Sequence, residues 1–183
     1  GGNETNDRSN LTVSGGVLRV TGSDGVDVNG NFFIKGGTTI VSGNEGIDIN
    51  GNFIISGGTI ISSGPNSNMT KSMSTSSTQV SMFIKSTSSL AATSLIHIED
   101  AAGKDLVTYK PRSAAAIFHF SSPSLAKNTA YKIYYGGTYT GGSFVGNSSG
   151  WGLYTGGSYS NTGATLKSSP TTSSSAAVNA LTF

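Results

Sequence analysis

Acidic side chains recur at a fixed spacing in the first third of the chain. Asp24 and Glu45 lie 21 residues apart, and so do Asp27 and Asp48. If the repeat stacks in register, equivalent carboxylates stand about 4.8 Å apart and repel by roughly 1 kcal/mol in water, and by more near a protein surface. A calcium ion between them removes this repulsion, because calcium prefers carboxylate and amide oxygens. The spacing therefore predicts a calcium site with these ligands: Asp24, Asp27, Glu45, Asp48, Asn29 and Asn50.

The same positions have a second interpretation as solvated turn residues. Asp and Asn side chains satisfy backbone groups at corners, so their recurrence requires no metal. Asn31 and Asn52 form a separate series at the same spacing. For this series we expect a structural role, through stacked side-chain amides.

Aromatic residues concentrate between residues 131 and 159, where six of the seven tyrosines and the only tryptophan lie. Exposed rings flanked by glycine stack well on sugar rings, since they combine an apolar face with a polar edge. The pattern predicts carbohydrate-binding residues at Trp151, Tyr139 and Tyr154. The alternative is that alternating aromatic residues form the core of further strands, which we favour for Tyr131 and Phe144.

The sequence predicts no catalytic site. Lys35 has the chemistry of a lyase base beside a calcium ion, but no arginine cluster accompanies it. His97 and His119 lie in alternating strands with no His, Asp or Cys at ligand spacing, so we expect ordinary strand residues. The chain is therefore predicted not to be an enzyme.

A 21-residue repeat must position these side chains. The segments beginning at Asn10, Asn31 and Asn52 match one another, and apolar residues alternate within each unit. Period-two alternation indicates strands with one buried face, and recurrence of residue identity indicates stacked coils. The prediction is an all-β fold, with a short right-handed parallel β-helix of about three coils followed by a mainly antiparallel β region. Each coil is expected to contain runs of three to five residues joined at corners, with Phe32 stacked over Phe53 inside; an antiparallel meander is the alternative.

Changes in composition divide the chain into four predicted segments. The β-helix covers residues 1–64, a Ser/Thr-rich linker or crossing segment covers 65–78, and an antiparallel sheet or half-sandwich covers 79–142. Residues 143–183 contain Gly/Tyr/Ser-rich strands and a tethered C-terminal strand. That strand either closes its own domain or completes the sheet of a neighbour. Together with open β edges, it offers a route to homo-oligomers or filaments.

Composition limits the class of partner. Only 11% of residues are charged, against about a quarter in typical domains, while glycine and hydroxyl residues are abundant. Basic residues are scattered without interleaved aromatics, which argues against nucleic acid, and no apolar run is long enough for a membrane span. The chain starts with Gly-Gly rather than Met, so we expect a preceding segment. The polar, weakly charged surface is typical of extracellular or cell-surface proteins.

The repeat also carries a resemblance to a known family. Residues 23–30 (SDGVDVNG), 55–59 (ISGGT), 121–125 (SSPSL) and 131–137 (YKIYYGG) resemble the bacterial extracellular calcium-containing parallel β-helix family that binds cellulose and pectin-type polysaccharides. The resemblance is closest over residues 10–64. It implies calcium at the acidic corners and a polysaccharide ligand, although Glu45 stands where the family has aspartate.

Two functions follow as expectations. The first is a non-catalytic, extracellular polysaccharide-binding protein that uses calcium. The second is a structural subunit that assembles into an extracellular filament or adhesive surface fibre.

Overall fold

The computed structural model describes residues 5–147 and 150–183, and this part of the chain is all-β. The predicted fold class is confirmed at this level. One short 3₁₀ turn occurs at Val145–Asn147. No helix within the described residues is long and apolar enough to cross a membrane.

The repeats form parallel strands in the predicted register. Their strands are β1 (Asn10–Gly22), β2 (Val26–Val28), β3 (Asn31–Gly43), β4 (Ile47–Ile49) and β5 (Phe53–Gly64). Strand β3 pairs in parallel with both β1 and β5, and β2 pairs in parallel with β4. Equivalent residues of successive repeats face each other, which excludes the antiparallel meander.

The Gly-Gly pairs bend these strands without ending them, contrary to the prediction of separate runs of three to five residues. Strands β1 and β3 each run for 13 residues. Gly16 and Gly37 have φ values of 71° and 76°, and the pairing register shifts beside them. A glycine with positive φ forms a local bulge, so the chain turns while pairing resumes beyond it.

The described residues after the repeats contribute nine further strands, most of them antiparallel. They are β6 (Ser81–Leu90), β7 (Ile96–Asp100), β8 (Asp105–Lys110), β9 (Ala115–Ser121), β10 (Tyr131–Tyr135), β11 (Thr138–Phe144), β12 (Gly152–Ser160), β13 (Thr165–Ser168) and β14 (Val178–Thr182).

One sheet joins the repeats to the C-terminal region. We call it the first sheet, and its strand order is β1-β3-β5-β9-β6-β14. Strand β9 pairs antiparallel with β5 and β6, whereas β14 pairs parallel with β6. The C-terminal strand therefore closes its own sheet in this chain. The proposed boundaries between segments stay a prediction, although this sheet runs across the one at residue 64.

The segment from 65 to 78 runs alongside the repeats. Backbone N–H groups of Lys71, Ser74 and Thr78 donate to carbonyl groups of β4 and β5 over 2.8, 2.6 and 3.0 Å. Of the two alternatives for this segment, an extended crossing segment fits these bonds and a free linker does not.

A second sheet packs on the first. Its order is β11-β12-β8-β7-β10-β13. Ile40 and Ile61 of the repeats share a buried cluster with Ile96 and Tyr109 of the second sheet. A separate cluster fills the interior of the repeats, where Phe32 stacks on Phe53 with ring centroids 5.2 Å apart, as predicted. The second sheet is thus held against a rigid, buried scaffold.

Candidate functional site

The predicted calcium ligands lie at one corner of the repeats. Asp27 and Asp48 face each other in the β2–β4 pair. Asp48 is buried whereas Asp24 and Asp27 are exposed. Burial, followed by the carboxylates of Asp48 and Asp24, raises the pKa of Glu45. The corner therefore holds carboxylates that disfavour one another's charge.

Neighbouring groups of the chain offset part of the repulsion between these carboxylates. Burial and the Asp27 carboxylate raise the pKa of Asp48, while a hydrogen bond with Glu45 and the charge of Lys71 lower it. Asn50 Nδ2 donates to Asn29 Oδ1 over 3.2 Å, which occupies that amide oxygen. In the described part of the chain, no three of these carboxylates bring their oxygens within 4.8 Å of one another. Calcium at this corner stays a prediction.

The amide series acts as expected for a structural ladder. Asn31 Nδ2 donates to Asn10 Oδ1 over 3.0 Å, and the backbone N–H of Asn52 donates to Asn31 Oδ1 over 2.9 Å. Each amide bonds to its equivalent in the neighbouring repeat. This part of the sequence prediction is confirmed.

The predicted sugar-binding aromatics have different described contacts. Tyr139 and Tyr154, on β11 and β12, stack on each other with centroids 4.4 Å apart. Phe144 lies 4.3 Å from Tyr154. The Arg19 guanidinium lies 4.2 Å from the ring centroid of Trp151, so one face of the indole is covered by a side chain of β1.

A small groove runs beside the tyrosine stack. Its volume is about 230 Å³, and hydroxyl groups, aliphatic side chains and one carboxylate line it together with both rings. The polar residues and tyrosines that line it are Thr38, Thr59, Asp105, Thr108, Ser122, Tyr139, Tyr154 and Thr155. This combination offers both an aromatic wall and hydrogen-bonding groups to a polar ligand.

A larger groove lies on another part of the molecule, next to β14. It measures about 630 Å³ and is lined mainly by Ser, Thr and Ala residues, with Lys127 as its charged residue. No aromatic side chain is among its described lining residues. It therefore lacks the stacking surface that a sugar ring requires, and the smaller groove has the more suitable chemistry.

A cluster that the sequence prediction missed lies at the edge of the smaller groove. His97 Nε2 is 3.4 Å from Asp105 Oδ1 and 3.7 Å from Glu99 Oε2. His97 is fully buried, whereas the side chain of Asp105 is 51% exposed. The expectation that His97 has no Asp partner is wrong, because the β7–β8 hairpin places Asp105 opposite Glu99.

Sequence signals for this cluster exist in hindsight. His97 and Glu99 are two residues apart in a strand and so share a face. Gly103, with a φ of 83°, allows the turn that brings Asp105 back to that face. Which residues of β8 face His97 depends on the hairpin register, and the β7–β8 register itself shifts beside Glu99.

Neighbouring groups hold the cluster in place. His97 Nδ1 lies 2.7 Å from Thr108 Oγ1, and Tyr159 stacks on the imidazole with centroids 3.7 Å apart. Lys132 Nζ donates to Glu99 Oε1 over 3.1 Å, and Tyr134 donates to the same oxygen over 3.4 Å. Burial lowers the pKa of His97, and the carboxylates of Asp105 and Glu99 oppose that shift.

The other candidates have structural surroundings. His119 uses both ring nitrogens, with Nδ1 2.5 Å from Ser62 Oγ and Nε2 2.8 Å from the Lys71 carbonyl oxygen. It is an ordinary core residue, as expected. Lys35 is exposed, with its Nζ 5.7 Å from the ring centroid of Phe33.

Comparison with known proteins returns no relative: no protein-family model, curated protein or solved structure matches the chain. The interpretation of the groove and of the His97 cluster therefore rests on their geometry.

Proposed function

We propose that the protein is a non-catalytic, extracellular polysaccharide-binding protein that holds a sugar unit in the groove beside Tyr139 and Tyr154. The observation that carries the proposal is the combination of a tyrosine stack with hydroxyl and carboxylate groups in one recess. The repeats serve as a short right-handed parallel β-helix that supports this surface. Calcium at the acidic corner is a further part of the proposal, with a stabilising role.

The size of the groove suits a small polar unit. Pockets for drug-sized ligands have volumes of about 300–1,000 Å³, and this groove, at about 230 Å³, is smaller. A single sugar residue of a longer chain fits that scale, while the remaining residues extend over the open surface. The volume of the groove therefore favours a polymer of which one sugar unit is bound, and not a small molecule that the protein encloses.

The lining groups match the two kinds of surface on a sugar. The C–H face of a pyranose packs on aromatic rings such as Tyr139 and Tyr154. Thr38 and Thr59 provide hydroxyls that donate and accept, and Asp105 accepts from sugar hydroxyls. Few charges line the groove, which agrees with a neutral or weakly charged glycan.

The test is binding to cellulose and to polygalacturonate, measured by pull-down and with soluble oligosaccharides by calorimetry. Tyr154→Ala removes half of the stack and is expected to weaken binding by about tenfold, taking as a guide the roughly 1–3 kcal/mol of a nucleic-acid base stacked on one aromatic ring. Phe33→Ala is the matched control, because it removes a half-buried aromatic residue away from the groove.

Two results count against this function. One is no retention on either polysaccharide. The other is equal binding by the Tyr154→Ala and Phe33→Ala variants. Calcium is tested separately by thermal melting with and without EDTA, where an unchanged midpoint removes the calcium part alone.

A second candidate function is self-association into a filament, and the glycines of the repeats favour it. A Cβ on Gly36 or Gly57 would lie 2.5 Å from a carbonyl oxygen of the preceding repeat, so close stacking requires glycine there. Gly15 holds the equivalent place in β1, has no positive φ, and would meet no described atom within 4 Å. Gly22 is equally open, whereas its equivalent Gly43 would meet the backbone of Gly25 at 2.5 Å. The edge of β1 therefore has the shape needed to receive another strand from a second copy.

The Gly15→Ala substitution is expected to have different effects on the monomer and on an assembly built on the β1 edge. Gly15→Ala meets no obstacle within the described chain, and it is expected to leave the monomer as stable or to stabilise it by about 0.4–1 kcal/mol. In a filament built on this edge, the same methyl group would collide with the added strand. Size-exclusion chromatography and negative-stain microscopy are expected to show filaments for the parent chain and not for Gly15→Ala. Discrete monomers of the parent chain contradict this candidate.

A further inference from the structure

A buried ring nitrogen in the second sheet has no hydrogen-bond partner among the residues that the structure describes. His97 Nε2 is inaccessible to solvent and points at two carboxylates, yet it forms a hydrogen bond with neither. Leaving a buried polar atom unsatisfied is costly in free energy. A group that bonds to the nitrogen and to both carboxylates at once would remove this cost.

The separations match the edges of a small tetrahedral metal site. Zinc binds histidine nitrogen and carboxylate oxygen at about 2.0–2.2 Å, so ligand atoms around a tetrahedral zinc ion lie about 3.3–3.5 Å apart. The observed distances from His97 Nε2 are 3.4 and 3.7 Å, and the ligand atoms of all three residues lie within 4.8 Å of one another. We propose that His97, Glu99 and Asp105 bind a zinc ion.

Surrounding groups orient two of these ligands as metal sites require. Metal-binding histidines commonly use the second ring nitrogen in a hydrogen bond, which fixes the tautomer and the ring plane. Thr108 Oγ1 lies 2.7 Å from His97 Nδ1, and Tyr159 stacks parallel to the ring within 9°. Glu99 presents Oε2 to His97 while its Oε1 accepts from Lys132 and Tyr134. The ligands are held before any ion binds.

The charge and the donor atoms select the metal. Two carboxylates with one nearby ammonium leave the cluster net negative, so a divalent cation is favourable. Calcium takes six to eight oxygen ligands at about 2.3–2.6 Å, and this cluster offers a nitrogen and few oxygens. Three protein ligands would leave the fourth position of a tetrahedral zinc to water, and Asp105, with a side chain that is 51% exposed, is the ligand that solvent reaches. This site is separate from the acidic corner, and it shares Asp105 and Thr108 with the lining of the smaller groove. Zinc binding is measured without any sugar, so its result does not depend on the proposed sugar binding.

Calorimetric titration of the full chain with zinc chloride tests the proposal. The protein is prepared without a histidine tag and freed of metal by a chelator. One zinc ion per chain is expected for the parent. Asp105→Asn, at a side chain that is 51% exposed, is expected to fold normally and to weaken zinc binding by about 100-fold or more, because even loss of an outer-shell partner costs about 10–100-fold.

Asp27→Asn is the matched control, since it removes an exposed carboxylate from the acidic corner. Its zinc affinity is expected to equal that of the parent chain. Thr108→Val keeps all three ligands but removes the partner of His97 Nδ1, so a drop of about 10–100-fold is expected. Cobalt(II) as a substitute ion is expected to show the strong visible absorption of tetrahedral coordination.

Three results overturn the assignment. The first is no zinc binding by the parent chain. The second is zinc binding that survives Asp105→Asn and is lost in Asp27→Asn. The third is weak cobalt absorption typical of six-coordinate, oxygen-rich sites.

Discussion

The repeats and the second sheet place different kinds of residues next to each other. In the parallel pairs of the repeats, each side chain meets its own equivalent, as Phe32 meets Phe53 and Asn31 meets Asn10. In the antiparallel pairs of the second sheet, unlike residues meet, as His97 meets Thr108 and Glu99 meets Asp105. One region therefore builds ladders and the other builds mixed clusters.

This difference determines where specific chemistry arises. In a ladder of identical amides or rings, each side chain hydrogen-bonds to or stacks on its equivalent in the next repeat, so no other partner is needed. Like charges gain nothing from such stacking: burial, together with neighbouring carboxylates, raises the pKa of Glu45 and of Asp48 at the acidic corner. Among the described residues, a nitrogen and two carboxylates come within metal-binding distance in the antiparallel β7–β8 hairpin, where unlike residues pair.

The largest expected effect concerns the stacked core of the repeats. Phe32→Ala removes a fully buried ring that stacks on Phe53, and we expect a loss of about 3–5 kcal/mol in the free energy of unfolding. The control is Phe33→Ala, the same change at the next residue of β3, on its opposite, partly exposed face. Denaturant unfolding measures both. Equal losses would show that the stacked interior is not the main source of stability in the repeats.

The next prediction contrasts the two histidines. Burial lowers the pKa of His119 to about 4, below the value of about 6.5 expected in the unfolded chain. The unfolded state therefore binds more protons between these values. The stabilising contribution is complete above pH 6.5 and is lost as the pH falls toward 4, amounting to on the order of 3 kcal/mol.

Unfolding measured from pH 7 to pH 4 checks this contribution. His119→Gln is expected to flatten the pH dependence relative to the parent chain, and the comparison cancels the titration of carboxylates common to both. His97 is expected to contribute less, because Asp105 and Glu99 favour its protonated form. An unchanged slope in His119→Gln would contradict the role of His119.

The smallest expected effect is a difference in stability between the same substitution in an inner repeat and in the edge repeat. Gly37→Ala places a methyl group 2.6 Å from the backbone of Gly15 and Gly16, whereas Gly16→Ala meets no described atom within 4 Å. Both residues have similar positive φ values, so the conformational cost is shared. The difference in stability measures close stacking alone, and we expect about 1–3 kcal/mol. In a concentrated sample, convergence of the two variants would indicate that another strand covers β1.

Much of the fold was predictable because the repeat can be read directly from the spacing of residues in the sequence. The 21-residue spacing predicted parallel register, the Asn31 ladder and the position of Phe32 over Phe53. The length of β1 and β3 was missed, because alternation stops at Gly-Gly although pairing continues past it.

The site was less predictable than the fold. The concentration of aromatic residues was visible in the sequence, but the contact of Trp151 with Arg19 was not predicted, since Arg19 lies on the distant strand β1. The partners of His97 were missed as well. Pairing between β7 and β8 and the cover from Tyr159 on β12 bring these side chains together, and such contacts have no fixed spacing in the sequence.

The sequence by itself determined the all-β class, the stacking period and the residues that repeat, because in-register stacking translates spacing directly into contact. Only the tertiary structure decided which strand joins the repeats, that β14 returns to its own sheet, and that His97 faces Glu99 and Asp105. These choices depend on the packing of unlike surfaces. That packing is set by the whole folded chain and not by any single segment.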